Sequence, residues 1–126
     1  MGPSPILTDD EAALIVRWAE ARSDKIRAVL LFGSRLVGIR RDKPDRKPIP
    51  DIDLALSFDI ADPCERQAFF TAVRATWSNE LSALVGGIEV ELYCCDPVTV
   101  PVMLLWEKPY RVLWSDHLWS HMDLQG

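Results

Sequence analysis

A chain of 126 residues, 48% hydrophobic and 26% charged, has enough apolar mass for one compact core and too little for two ordinary domains. It has no apolar run near the roughly 18 residues of a membrane span, and Asp9, Asp10 and Glu11 stand where a secretory signal would carry basic residues, so a single cytoplasmic domain over 1–126 is expected. The net charge of −5 argues against long nucleic acid as the main partner, because sequence-independent phosphate binding needs a broad basic face.

In chain order, Thr8 followed by Glu11 is a capping-box pattern, and Ala13, Leu14, Val16, Trp18 and Ala21 supply an apolar face, predicting a helix from Thr8 to about Ala21. The continuously apolar run Ala28–Phe32 predicts a central strand that stops at Gly33. From Gly33 to Pro50 the chain should be irregular after one helical turn at Ser34–Val37, since Pro44, Pro48 and Pro50 forbid regular structure. In the stretch Ile52–Ser57 and its lead-in, Asp51, Asp53 and Ala55 alternate with Ile52, Leu54 and Leu56, the period of a strand with both acids on one face. Asp62 then caps a helix opened by Pro63 and carried to about Leu84, before Gly86-Gly87. Ile88–Cys94 alternates again, with Glu89, Glu91 and Tyr93 sharing a face. Val98–Glu107 reads as a buried helix, Tyr110–Trp114 as a short last strand, and Asp116–Gly126 as a helical turn and frayed tail. The order α-β-loop-β-α-β-α-β implies an α/β or α+β fold, a small mixed sheet of about four strands with helices packed on one face.

The chemistry concentrates between Leu30 and Leu56. From Arg35 to Lys47 there are six basic and two acidic residues, a local charge of +4 that leaves −9 elsewhere, a pattern suited to a small anionic ligand held locally. Neighbouring strands lie about 5 Å apart and same-face residues about 7 Å apart, so Asp51 and Asp53 can converge with Glu91 or Glu89. Three close carboxylates repel unless a cation neutralises them, and oxygen-only ligands favour Mg²⁺ or Mn²⁺. The Gly33-Ser34 turn offers backbone N–H groups and a hydroxyl to phosphate oxygens. Together these describe a site for a nucleoside triphosphate.

At these residues the chain resembles the minimal nucleotidyltransferases of the DNA polymerase β superfamily. Leu31-Phe32-Gly33-Ser34-Arg35 matches the family's apolar-Gly-Ser element, Asp51-Ile52-Asp53 its D-x-D strand, and Glu91-Leu92 its later acid; the likeness covers about 28–114, leaving 115–126 as a tail. The resemblance implies the polymerase β-like nucleotidyltransferase fold and a two-metal mechanism. Asp51, Asp53 and Glu91 would hold Mg²⁺ or Mn²⁺, Gly33, Ser34 and Arg35 would bind the nucleotide, and Glu91 would ligate metal or take the proton of an attacking hydroxyl. It further implies AMP transfer from ATP to a hydroxyl on a protein partner, as in antitoxins paired with a helical HEPN-type toxin. The segment Arg41–Ile49 lengthens the family's loop, Glu replaces the usual Asp at the third position, and Glu89 shares its face; Glu91 is preferred from the elements downstream.

Other features read more plainly. Cys64, Cys94 and Cys95 lack metal-type spacing and should be reduced. His117 and His121 have the spacing of a helical metal pair but lie in the tail. Trp18, Trp77 and Trp106 are expected in the core, whereas Trp114 and Trp119 suit a partner surface. The competing function is a catalytically silent antitoxin-type module that neutralises its partner by surface contact; modification of nucleic-acid ends is weaker, given the acidic remainder.

Overall fold

The computed structural model describes residues 2–3, 6–37, 39–40, 51–94 and 110–116. The expected helix over 98–107, the proline loop over 41–50 and the tail beyond 116 lie outside them, with Cys95, Trp106, His117, Trp119 and His121.

Helix α1 spans Asp9–Glu20 because Thr8 stops it at the front: the Thr8 hydroxyl accepts the Glu11 N–H and the Glu11 carboxylate accepts the Thr8 N–H. These two bonds satisfy donors that a helix start otherwise leaves orphaned. The inward stripe of α1 is Ala12, Ile15, Trp18 and Ala19. Helix α3, Pro63–Leu84, starts from Asp62, whose carboxylate accepts the Glu65 N–H at 3.1 Å. Between these two helices in sequence lies the one-turn helix α2, Ser34–Val37.

Four strands form one mixed sheet: β2 (Ile26–Phe32), β4 (Ile52–Phe58), β5 (Val90–Cys94) and β6 (Arg111–Ser115), in the order β5-β4-β2-β6. Strand β2 runs antiparallel to β4 and β6, while β4 and β5 are parallel, as the helical crossover through α3 allows. A separate two-residue pairing joins β1 (Gly2–Pro3) to β3 (Ile39–Arg40). The periodicity anticipates none of this pairing, because two residues carry no period.

The sheet divides its side chains cleanly. Val29 and Leu31 of β2, Ile52, Leu54, Leu56 and Phe58 of β4, and Val90, Leu92 and Cys94 of β5 pack with α1 and α3 into the main core. Ala28, Leu30, Phe32 and Ala55 form a second cluster on the opposite face, with Tyr110 against it. Strand β2 begins two residues before the expected Ala28, and a register irregularity between Ile26 and Ala28 shifts its alternation, so Ile26 joins the same core as Val29. The two helices meet through Trp18 and Trp77, edge to face at 5.2 Å, with the Arg22 guanidinium 4.5 Å over Trp18 and its Nη2 3.0 Å from both carboxylate oxygens of Glu80. Among the described residues no helix is long and apolar enough to cross a membrane.

Candidate metal and nucleotide site

Of the expected site residues, Asp51, Asp53, Glu91 and Gly33 fall at one end of the sheet. Strands β4 and β5 enter there with Asp51, Asp53, Glu89 and Glu91, and β2 leaves there through Gly33. Asp53 is the central position, registered against Phe32 of β2 on one side and Glu91 of β5 on the other. Alternation along β4 sends Ile52 and Leu54 into the helix-covered core, so the aspartates belong to the opposite face.

The carboxylates that converge are Asp51, Glu89 and Glu91, whose oxygens lie within 4.8 Å of one another. Asp53 is not in that group; its carboxylate leans against Gly33 instead. Gly33 has φ +80°, and a Cβ there would strike a carboxylate oxygen of Asp53 and sit 3.3 Å from its Cγ. Glycine is therefore required twice over, by the left-handed backbone and by the close approach. Glu89, the alternative third acid in the sequence, joins Glu91 rather than competing with it.

Arg35 lies elsewhere. Its guanidinium is 2% exposed and meets the Glu11 carboxylate at 2.5 Å, while its backbone carbonyl accepts the Leu7 N–H. Its Nε and Nη1 are buried and make no hydrogen bond. One oxygen of Glu11 thus serves both the cap of α1 and the guanidinium on α2. Arg74 of α3 stands beside the acids, its Nη2 3.6 Å from Glu91 and its guanidinium 5.8 Å from the Phe70 ring. Nothing local in the sequence marks Arg74 for this position, since it is one polar residue on a long helix.

Tyr93 completes the acidic face. Half-exposed and edge-on to Phe32 at 5.2 Å, it has its phenol pushed above the usual tyrosine range, first by burial and then by the charges of Asp53 and Glu91. Alternation with Glu89 and Glu91 already puts it on this face.

Three carboxylates gathered this closely repel one another. The donor set fits a hard divalent cation: ligand oxygens across a Mg²⁺ ion lie about 4 Å apart, so a group already within 4.8 Å needs only side-chain rotation. Beside Glu91, a groove of about 570 Å³ runs between α3 and β5. Comparison with family models, with curated proteins and with solved structures gives no match for this chain.

Proposed function

We propose that the protein is a Mg²⁺- or Mn²⁺-dependent nucleotidyltransferase of the polymerase β-like, minimal kind, moving a nucleoside monophosphate, AMP from ATP in the first instance, to a hydroxyl on a protein partner such as a HEPN-type toxin. The observation that carries the reading is the convergence of Asp51, Glu89 and Glu91 one step along the sheet from Asp53 and the Gly33 turn. Asp51, Glu91 and Glu89 would hold the metal, with Asp53 between them and the turn. The bound cation would supply charge neutralisation and Lewis acidity at the phosphates. Gly33, having no Cβ, lets the Asp53 carboxylate lie directly against the turn, and backbone N–H groups of such a turn are suited to phosphate oxygens. Glu91 accepts the acceptor's proton as its oxygen bonds to the α-phosphorus. The bond from that phosphorus to the bridging oxygen breaks, and pyrophosphate leaves with the electron pair.

The test is calorimetric titration with Mn²⁺, followed by incubation with labelled ATP and candidate partner. Asp51→Ala is expected to weaken Mn²⁺ binding at least about tenfold, since it removes one of three charged ligands. A wild-type protein that binds neither Mn²⁺ nor Mg²⁺ sinks the reading, as does full transfer by Asp53→Ala. The second reading, a silent module acting by contact, draws on Arg35, the basic residue assigned to the nucleotide, whose guanidinium is engaged with Glu11. Neutralisation of the partner that survives in the Asp51→Ala, Asp53→Ala double variant would favour it.

A further inference from the structure

The one-turn helix α2 follows the Gly33 turn directly, and four residues of helix are too few to hold themselves in place. Their position comes from tertiary anchors. Leu36 packs against the main core, and its N–H donates to the Gly33 carbonyl at 3.1 Å. Two further anchors both belong to Arg35: its carbonyl accepts the N–H of buried Leu7 at 2.9 Å, and its guanidinium meets Glu11 of α1. Leu7 and Glu11 lie on either side of the cap residue Thr8, so the start of α1 is tied to the segment that carries the turn.

The side-chain tie is poorly satisfied. Arg35 is 2% exposed, its Nε and Nη1 make no hydrogen bond, and the Glu11 oxygen it meets is shared with the Thr8 N–H. Such a pair adds little to stability over an apolar side chain of similar volume. What it does supply is geometry, because a planar guanidinium fixes direction as well as distance. The element so fixed touches the acids. A Cβ on Gly33 would strike the Asp53 carboxylate, so the turn's backbone is a wall of the space which that carboxylate occupies, directly across the register from Glu91. Any shift of α2 reaches Asp53 by contact.

We infer that Arg35, held by Glu11, is a positioning residue for Asp53: it fixes the Gly33 turn, and the turn confines the carboxylate beside the metal cluster. This role replaces the phosphate contact that its place after Gly-Ser suggests, and it rests on the nucleotidyl-transfer reading, which makes the acidic cluster a cation site. The experiment is calorimetric titration of the full chain with Mn²⁺, at a temperature where each variant is folded. Arg35→Met keeps the volume and removes the charge; it should weaken Mn²⁺ binding about tenfold, the lower end of the loss that outer partners of a metal ligand cause. Glu11→Ala should match it, and combining the two should add less than about twofold, because both cut one tie. Thr8→Ala removes the hydroxyl half of the cap, leaving the Glu11 carboxylate and Arg35 in place, and should destabilise α1 while holding Mn²⁺ affinity within about twofold. Asp53→Asn should itself weaken Mn²⁺ binding about tenfold, and in that background Arg35→Met should add less than about twofold. Unchanged affinity in Arg35→Met, an equal loss in Thr8→Ala, or losses in Arg35→Met and Asp53→Asn that multiply overturns the positioning role. Arg35→Met leaves no buried cation without a counter-charge, so it decides the matter even where Glu11→Ala fails to fold. Wild-type protein that binds no Mn²⁺ overturns the parent reading instead, so the two failures are separable.

Discussion

At the scale of single residues, Gly33 carries the tightest constraint. Gly33→Ala meets both a backbone at φ +80° and the Asp53 carboxylate, so it should destabilise the fold by about 1–3 kcal/mol in urea unfolding and weaken Mn²⁺ binding by displacing that carboxylate. Tyr93 gives a pH signature. Its folded pKa lies above the unfolded value near 10, so the neutral phenol is the form the fold favours. That contribution is present in full below the unfolded pKa and is lost as pH rises through the folded one. Of the chain's two tyrosines, Tyr93 should therefore ionise late in an ultraviolet tyrosinate titration. Asp53→Asn or Glu91→Gln should move it earlier by removing a charge that opposes ionisation. The aspartates and Glu91 were legible because a strict period of two needs no tertiary knowledge. The joint use of Glu89 was not, since only folding brings the residue preceding β5 against Asp51.

Among elements, the contact between α1 and α2 is the one that sequence patterning describes worst. Thr8 and Glu11 announce the cap of α1, three residues apart, whereas Arg35 reaches the same carboxylate across 24 residues. A local pattern can reveal the first bond and not the second, so a basic residue after Gly-Ser reads as a phosphate ligand. Glu11→Ala would strand a buried guanidinium and remove the carboxylate half of the capping box, costing about 3–5 kcal/mol in chemical denaturation. Arg35→Met should cost less than half as much, because Arg35 already has two buried N–H groups without partners and methionine fills similar space. The strand boundaries follow the same logic. Apolar run and alternation locate β2, β4 and β5, but the irregularity near Arg27 that brings Ile26 into the core has no sequence period to betray it.

For the whole molecule, the sheet separates two tasks by face: the side under α1 and α3 holds the large core, and the acidic end belongs to the other side. Destabilising one need not touch the chemistry of the other. Leu54, fully buried on the helix side, should cost about 2–5 kcal/mol when cut to alanine, with Mn²⁺ affinity of the remaining folded protein little changed. Conversely, Mn²⁺ at about 100 times its dissociation constant should raise unfolding free energy by about 2.7 kcal/mol, a gain that a tenfold loss of affinity in Asp51→Ala cuts to about 1.4 kcal/mol. Thermal unfolding with and without the ion checks both.

The parallel pairing of β4 with β5 also sets an order in time. Two parallel neighbours cannot close as a hairpin; here the chain must pass through all of α3 before Glu91 can reach the register of Asp53. Such non-local closures come late in folding because loop entropy precedes any contact they gain. The acidic cluster is then a product of the finished fold and absent from its transition state. A cation that binds there should slow unfolding in stopped-flow measurements and leave the refolding rate nearly unchanged, which makes the ion a brake on opening rather than a guide to assembly.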